Sequence, residues 1–249
     1  MEEKKVKRME AQNIELSYGD DPVIQDLSLN ICSGSFIGLI GPNGAGKTTL
    51  LLALSGQFRP QKGHVLFNSY DIYHKNLEFK KHIGYVHEYP FFYQHMRVEE
   101  YLHFIARIKD VEKHAIERQI SSVLNSVCLE DEKNKQTSNL SAGMRKKLAI
   151  AAALLGDPQI IFLDEALNGI DFESAFQIKK VLTELIAQGK TIILSTHVME
   201  VIEKICDRYL VLKQGRIIAD IDPEKLKSSD AFKKNPDIEK YIIQLLESQ

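Results

Sequence analysis

Short apolar or alternating runs, separated by Gly, Asp, Asn and Ser, fill the first third of this chain. They predict strands at Asn13 to Ser17, Val23 to Ile31, Phe36 to Ile40 and Val65 to Phe67. After Ile83 to Val86 the period lengthens. Val98, Tyr101, Leu102 and Ile105 fall at the i, i+3, i+4, i+7 spacing of an amphipathic helix, and Ala115 to Val127 also reads as helical. The strand–helix alternation then returns. Ile160 to Leu163 is short and wholly apolar, as suits a strand covered on both faces of a parallel sheet. Ile178, Val181, Leu182 and Leu185 predict a helix, and Thr191 to Leu194 and Tyr209 to Leu212 two more strands. A last helix carries Ile238, Tyr241, Ile242 and Leu245 on one face, to pack on the core or on a partner. The pattern predicts an α/β nucleotide-binding core with a helical lobe inserted at about residues 89–157.

Composition narrows this only a little. The 249 residues, 44% apolar and 27% charged, suit one large globular domain or a domain with an inserted lobe. A formal net charge of -2 gives no global attraction to a polyanion, so no nucleic-acid partner is expected. Residues Met1 to Gln12 are charged but precede no apolar segment, which does not read as a signal peptide. The longest apolar stretch, near Leu148 to Leu155, falls short of the roughly 18 residues that span a bilayer. Any membrane role is expected to come through a partner. Cys32, Cys128 and Cys206 have no metal-ligand spacing and are expected to be buried, reduced thiols of a cytosolic protein.

The chemistry begins at Gly41-Pro42-Asn43-Gly44-Ala45-Gly46-Lys47-Thr48, a G-x-x-x-x-G-K-[ST] segment between an apolar strand and the helical run Thr49 to Leu54. Glycines let backbone N–H groups turn inward around a phosphate, and the following helix aims its positive end at the same anion. Lys47 adds a point charge for the β- and γ-phosphates, and the Thr48 hydroxyl can ligate Mg²⁺. This signals nucleoside triphosphate binding without choosing among kinases, GTPases and ATPases. Ile160 to Leu163 runs into Asp164 and Glu165. Asp164 suits the Mg²⁺ shell, and Glu165 suits a general base for the attacking water; alone, the pair also fits a solvated acidic turn. The strand Thr191 to Leu194 ends in Ser195-Thr196-His197, at the strand end where α/β proteins build their sites. His197 is read as a contact to the γ-phosphate, whereas His64, His74 and His103 are read as structural.

Between these segments, Leu140-Ser141-Ala142-Gly143-Met144 resembles the signature motif of the ATP-binding cassette (ABC) ATPases. The other motifs fall into that family's order. Tyr18 resembles the aromatic that stacks on adenine, Glu88 stands at the Q-loop position, and Asn168-Gly169-Ile170-Asp171 is similar to the D-loop. The resemblance covers about residues 10–220. It implies a P-loop NTPase core with a mixed or parallel sheet, an N-terminal antiparallel β-subdomain and an inserted α-helical signature subdomain. The ATPase domain would span 10–221 and a helical extension 222–249.

The same resemblance implies binding of ATP and Mg²⁺, with Glu165 and His197 catalytic and Thr48, Glu88 and Asp164 at the metal. The P-loop from Gly41 to Thr49, with Tyr18, Ser141, Gly143 and Asp171, would hold nucleotide. A second ATPase subunit, a copy or a paralogue, would join head to tail so that the signature helix caps the opposite γ-phosphate. An integral membrane permease would complete a transporter of export type at the cytoplasmic face of the membrane, because the cassette is compact and lacks the long regulatory domain of many importers. A soluble ABC ATPase acting on DNA or ribosomes, and a regulator that only binds nucleotide, are the competing readings.

The family's glutamine at position 88 is Glu here, Ala142 and Met144 depart from the usual signature, and Ala166 replaces a frequent proline. None removes a catalytic group. Ser141 is a good N-cap, but Arg145, Lys146 and Lys147 crowd the first turns of their helix, where the macrodipole disfavours cations. At least two of the three are expected to point to solvent. Four aromatics between Tyr89 and Tyr93 suit either core packing or a docking surface.

Overall fold

The computed structural model describes residues 8–197, 205–228 and 237–247. Part of the charged N-terminal run and part of the C-terminal extension therefore lie outside the described residues.

Alternation of apolar and polar residues yields one sheet, and unbroken apolar runs yield another. In β2 (Asp21–Cys32), Leu27, Leu29 and Ile31 are buried while Ser28, Asn30 and Cys32 are exposed, the period-2 signature of a strand covered on one face. It pairs antiparallel with β1 (Arg8–Tyr18), which pairs in turn with β4 (Lys62–Phe67) and, through it, with the short β5 (Tyr70–Asp71). β1 starts earlier than the sequence predicts. Asn13 takes a left-handed φ of 47°, and the resulting bulge hides the continuity of Met9 and Ala11 with Ile14 and Leu16.

The core sheet has strand order β10-β9-β3-β8-β7-β6. Every residue of β3 (Phe36–Ile40), β7 (Ile160–Asp164) and β8 (Thr191–Thr196) is buried, as a parallel sheet covered on both faces requires. β6 (Ile83–Val86) pairs parallel with β7, and β9 (Arg208–Lys213) parallel with β3. The unpredicted strand β10 (Arg216–Ile221) folds back antiparallel on β9. Its turn uses Gln214 and Gly215 at φ 46° and 76°, both left-handed, a hairpin signal weaker in sequence than Asn-Gly. Register aligns the carboxyl ends. Ile40 stands beside Thr196, and Asp164 beside Ser195, so the loops after β3, β7 and β8 leave from one edge.

Helices cover this sheet. α1 (Lys47–Leu54) follows β3, α2 (Asn76–Lys81) precedes β6, and α6 (Phe172–Ala187) lies between β7 and β8. Between β6 and β7 the chain passes through α3 (Val98–Ile108), α4 (Ile116–Ser126) and α5 (Ala142–Leu154). Val98, Leu102 and Ala106 of α3 join Ile120 and Leu124 of α4 and Leu148 of α5 in one buried cluster. Gly84 lets α5 press on β6, since a Cβ there would stand 2.6 Å from the Ala153 carbonyl oxygen. The Lys109 ammonium donates to the carbonyls of Ala153 at 2.7 Å and Leu155 at 2.8 Å, closing the end of α5, and burial pushes its pKa down to about 8. After α7 (Pro223–Ser228), α8 (Ile238–Glu247) buries Ile238 and Ile242 against the core.

Two expectations need correction. Only Cys206 is buried. Cys32 ends a strand with its side outward, Cys128 sits in a turn at φ 55°, and both are exposed free thiols. The basic residues of α5 are also tied down rather than solvated. Lys147 is buried on Gln177, Arg145 lies 5.6 Å from the Phe92 ring centroid, and Lys146 reaches the Glu165 carbonyl at 3.1 Å. The sequence shows the cost to the helix dipole but not these tertiary acceptors. Among the aromatics after Glu88, Phe92 is buried whereas Tyr89, Phe91 and Tyr93 are exposed, with Phe104 edge-on to Tyr93. Among the described residues, no helix is long and apolar enough to cross a membrane.

Candidate active site

Glycine content shapes the loop after β3. Gly44 and Gly46 hold φ of 78° and 102°, which turn successive N–H groups toward one side before α1 begins at Lys47. At Gly41 a Cβ would meet the Leu212 carbonyl oxygen at 2.2 Å, so the loop rests directly on the end of β9. Gly41→Ala is therefore expected to lower folding stability by about 1–3 kcal/mol, read as a lower denaturant midpoint at unchanged slope. An unchanged midpoint would mean that this contact relaxes freely.

The three strand ends bring the polar groups together. The Thr48 hydroxyl donates to Asp164 Oδ1 at 3.1 Å, and the Ser195 hydroxyl donates to the same oxygen at 2.6 Å. The Tyr85 hydroxyl stands 3.5 Å from Asp164 Oδ2, and its pKa is raised by burial and by this carboxylate. Asp164 is 3% exposed, yet among the described residues no lysine, arginine or histidine forms an ion pair with it. A buried carboxylate met only by hydroxyls is costly. With the Thr48 hydroxyl alongside, it forms a pair of hard oxygen donors suited to a magnesium ion.

Glu165 follows at a left-handed φ of 47°. Its N–H is held by the carbonyl of Ser195 at 3.1 Å and by Ser195 Oγ at 3.0 Å. The carboxylate, 8% exposed, faces Lys47 Nζ at 3.4 Å through Oε1 and His197 Nδ1 at 3.1 Å through Oε2. The Asn168 amide also donates to Oε2. Lys47 donates in addition to the carbonyls of Gly41 at 2.9 Å and Pro42 at 3.3 Å. A cleft of about 510 Å³ opens over these groups, lined by Val23, Asn43, Gly44, Gly46, Lys47, Thr48, Thr49, Glu88, Glu165 and His197. The arrangement offers backbone donors and an ammonium to an anion, oxygen donors to a cation, and a carboxylate to a water.

Glu88 stands at the join between this cleft and a second one of about 520 Å³, lined also by Ala142, Arg145, Lys146, Asn168 and Gly169. A hydrogen bond to the Glu88 carboxylate, and its charge, make the Tyr89 hydroxyl hold its proton more tightly. Burial lowers the Lys146 pKa, against the opposing charges of Glu88 and Glu165. Ser141 caps α5, accepting from Met144 N–H at 3.2 Å, and Asp171 caps α6, accepting from Ser174 N–H at 2.8 Å. These two helix starts touch, because a Cβ on Gly143 would lie 2.6 Å from Asp171 Oδ2. Ser141, Gly143, Asp171 and Tyr18 are not among the residues lining the first cleft. Tyr18 is 53% exposed and stacks on Phe58 with ring centroids 5.0 Å apart. Sequence reasoning gave no individual role to Tyr85, Asn168 or Ser195. Their polar groups at the ends of apolar strands, or just beyond, were the available signal.

Residues 24–168 match the family described as "ABC transporter". The chain is similar to the Nod factor export ATP-binding protein I of Rhizobium meliloti (strain 1021), at 36% identity over 218 residues, which is 88% of this chain and 65% of that protein. It thus spans slightly less than two thirds of that relative's length. Among solved structures it is similar to one described as an ATP binding subunit of an ABC transporter, with TM-score 0.86, 25% identity and coverage of 95% of this chain and 98% of that one. A second is cbiO1 of Clostridium perfringens, part of the ABC transporter complex cbiONQ, with TM-score 0.80, 26% identity and coverage of 96% and 99%.

Proposed function

The chain belongs to the ABC transporter family, and from that premise we propose that it binds MgATP in the first cleft and hydrolyses it to drive a separate integral membrane permease. The observation that carries this reading is the convergence of Lys47, Thr48, Glu165 and His197 from three adjacent strand ends on one cleft, with Asp164 hydrogen-bonded to Thr48 beside it.

In this reading the P-loop amides from Gly41 to Thr49 wrap the β-phosphate, and Tyr18 offers a face to adenine. Lys47 exchanges its protein acceptors for phosphate oxygens, which releases Glu165 Oε1. That carboxylate orients a water and takes its proton as the water oxygen bonds to the γ-phosphorus and the bond to the bridging oxygen breaks. ADP and inorganic phosphate leave. His197 and Asn168 hold Oε2 so that only one carboxylate oxygen faces the water. Thr48 and Asp164 would hold Mg²⁺, with Glu88 as a further ligand, and the ion when bound neutralises charge on the phosphate oxygens.

A second subunit, a copy or a paralogue, presents its Ser141 and Gly143 to the γ-phosphate, with the Asp171 loop between the two sites. The exposed face of Tyr89, Phe91, Tyr93 and Phe104 receives the permease at the cytoplasmic side of the membrane. The name of the rhizobial relative supports export as the direction.

ATP turnover by the purified chain, and its co-purification with an integral membrane subunit, test the reading. Turnover without such a partner would favour a soluble ATPase, and nucleotide binding without turnover a regulator. Glu88→Gln removes a charged oxygen ligand, so the Mg²⁺ concentration for half-maximal turnover is expected to rise several-fold. An unchanged Mg²⁺ titration would remove Glu88 from the metal shell.

A further inference from the structure

A second cluster of metal-ligand chemistry lies on the helical lobe. Glu99 and His103 stand one turn apart on α3 and project from the same face, and Glu117 reaches them from the first turn of α4. One ligand atom from each lies within 4.8 Å of the other two. His103 Nε2 is 3.2 Å from Glu117 Oε1, with the two side chains 27% and 74% exposed, so an ion has access from solvent. The Glu99 carboxylate is half-buried and makes no ion pair or hydrogen bond among the described residues. Lys133, whose charge reaches Glu99, is engaged by Glu130 at 3.2 Å. Two carboxylates thus flank one imidazole, and a protonated His103 serves only one of them.

The geometry points to a divalent cation, and we propose that Glu99, His103 and Glu117 bind a zinc ion. One imidazole nitrogen and two carboxylate oxygens suit zinc, whereas magnesium takes oxygen donors and keeps its waters. Tetrahedral zinc with these ligands has donor separations of about 3.4 Å, and His103 Nε2 and Glu117 Oε1 already stand 3.2 Å apart. Three protein ligands leave the fourth position to water. The ion joins α3 to α4 and braces the helix that carries Phe104. The site is separate from the nucleotide cleft and does not depend on the reading given to that cleft.

The test is a titration of the full, nucleotide-free chain with zinc against a chromophoric chelator, repeated with cobalt to read the absorption of the bound ion. The expected result is one zinc per chain with micromolar affinity. His103→Ala and Glu117→Gln each weaken it by about tenfold or more, since loss of even a group that only orients a ligand acts on that scale. His64→Ala, which removes the imidazole paired with Asp71 at 2.9 Å, leaves it unchanged. Thermal unfolding in chelator checks that the variants fold, and Glu117→Gln carries the test should His103→Ala not fold. No binding at micromolar zinc, binding that survives both variants, or binding lost in His64→Ala overturns the proposal.

Discussion

The Lys47→Ala variant is expected to lose ATP binding by roughly tenfold to a hundredfold, the scale of one charge-assisted hydrogen bond to phosphate. Lys47 is 6% exposed, and its ammonium is held by two loop carbonyls and by Glu165. The lysine is therefore in place before nucleotide arrives, and binding exchanges acceptors rather than ordering a free side chain. Removing it also leaves the Glu165 carboxylate buried with only His197 and Asn168 against it. A loss of up to about 3 kcal/mol in folding stability is expected to accompany the loss of affinity. Calorimetric titration with nucleotide and chemical denaturation read the two effects separately. Wild-type affinity in a folded Lys47→Ala protein would remove the P-loop from nucleotide binding.

Glu165→Gln is expected to do the reverse. It keeps shape and hydrogen-bonding capacity, so ATP still binds, but the amide cannot accept the proton of the attacking water. Turnover is expected to fall by about 10²–10⁴-fold, the usual contribution of a positioned general base. With hydrolysis blocked, the sharing of the site proposed above predicts that the variant accumulates as a nucleotide-bound dimer on size exclusion in MgATP. A Glu165→Gln chain that turns over ATP at the wild-type rate would take Glu165 out of the base's role. One that stays monomeric at saturating MgATP would count against sharing of the site.

Much of this was legible in the sequence because it is local. Phe36 to Ile40 and Ile83 to Val86 were found to the residue, since each is a short apolar run with abrupt polar or glycine borders. The glycine-rich loop before α1 and the placing of Asp164 and Glu165 at the end of β7 were legible because each depends on consecutive residues. The role of Asn168 between Glu165 and His197 was not legible, since it depends on the loop after β7 returning to the end of β8. The anchoring of Lys146 on Glu165 was hidden for the same reason, as it links residues 19 positions apart on different elements. The strand β10 escaped because Ile217 and Ile218 give no clear alternation and its turn carries Gln before Gly. The cluster of Glu99, His103 and Glu117 escaped because its members are spread over two helices, and periodicity treats His103 as one more half-buried position.

The left-handed backbone at Glu165 sets a local conformational cost against a buried ion pair. A residue with a long side chain held at φ 47° costs on the order of 1 kcal/mol relative to glycine, which accepts that conformation freely. Glycine would ease this turn but would also take away the carboxylate that faces the buried Lys47 ammonium, a loss larger than the strain relieved. A search for heat-resistant variants would therefore pass this codon by, because the twist in the chain and the buried charge are carried by one residue and cannot be traded separately.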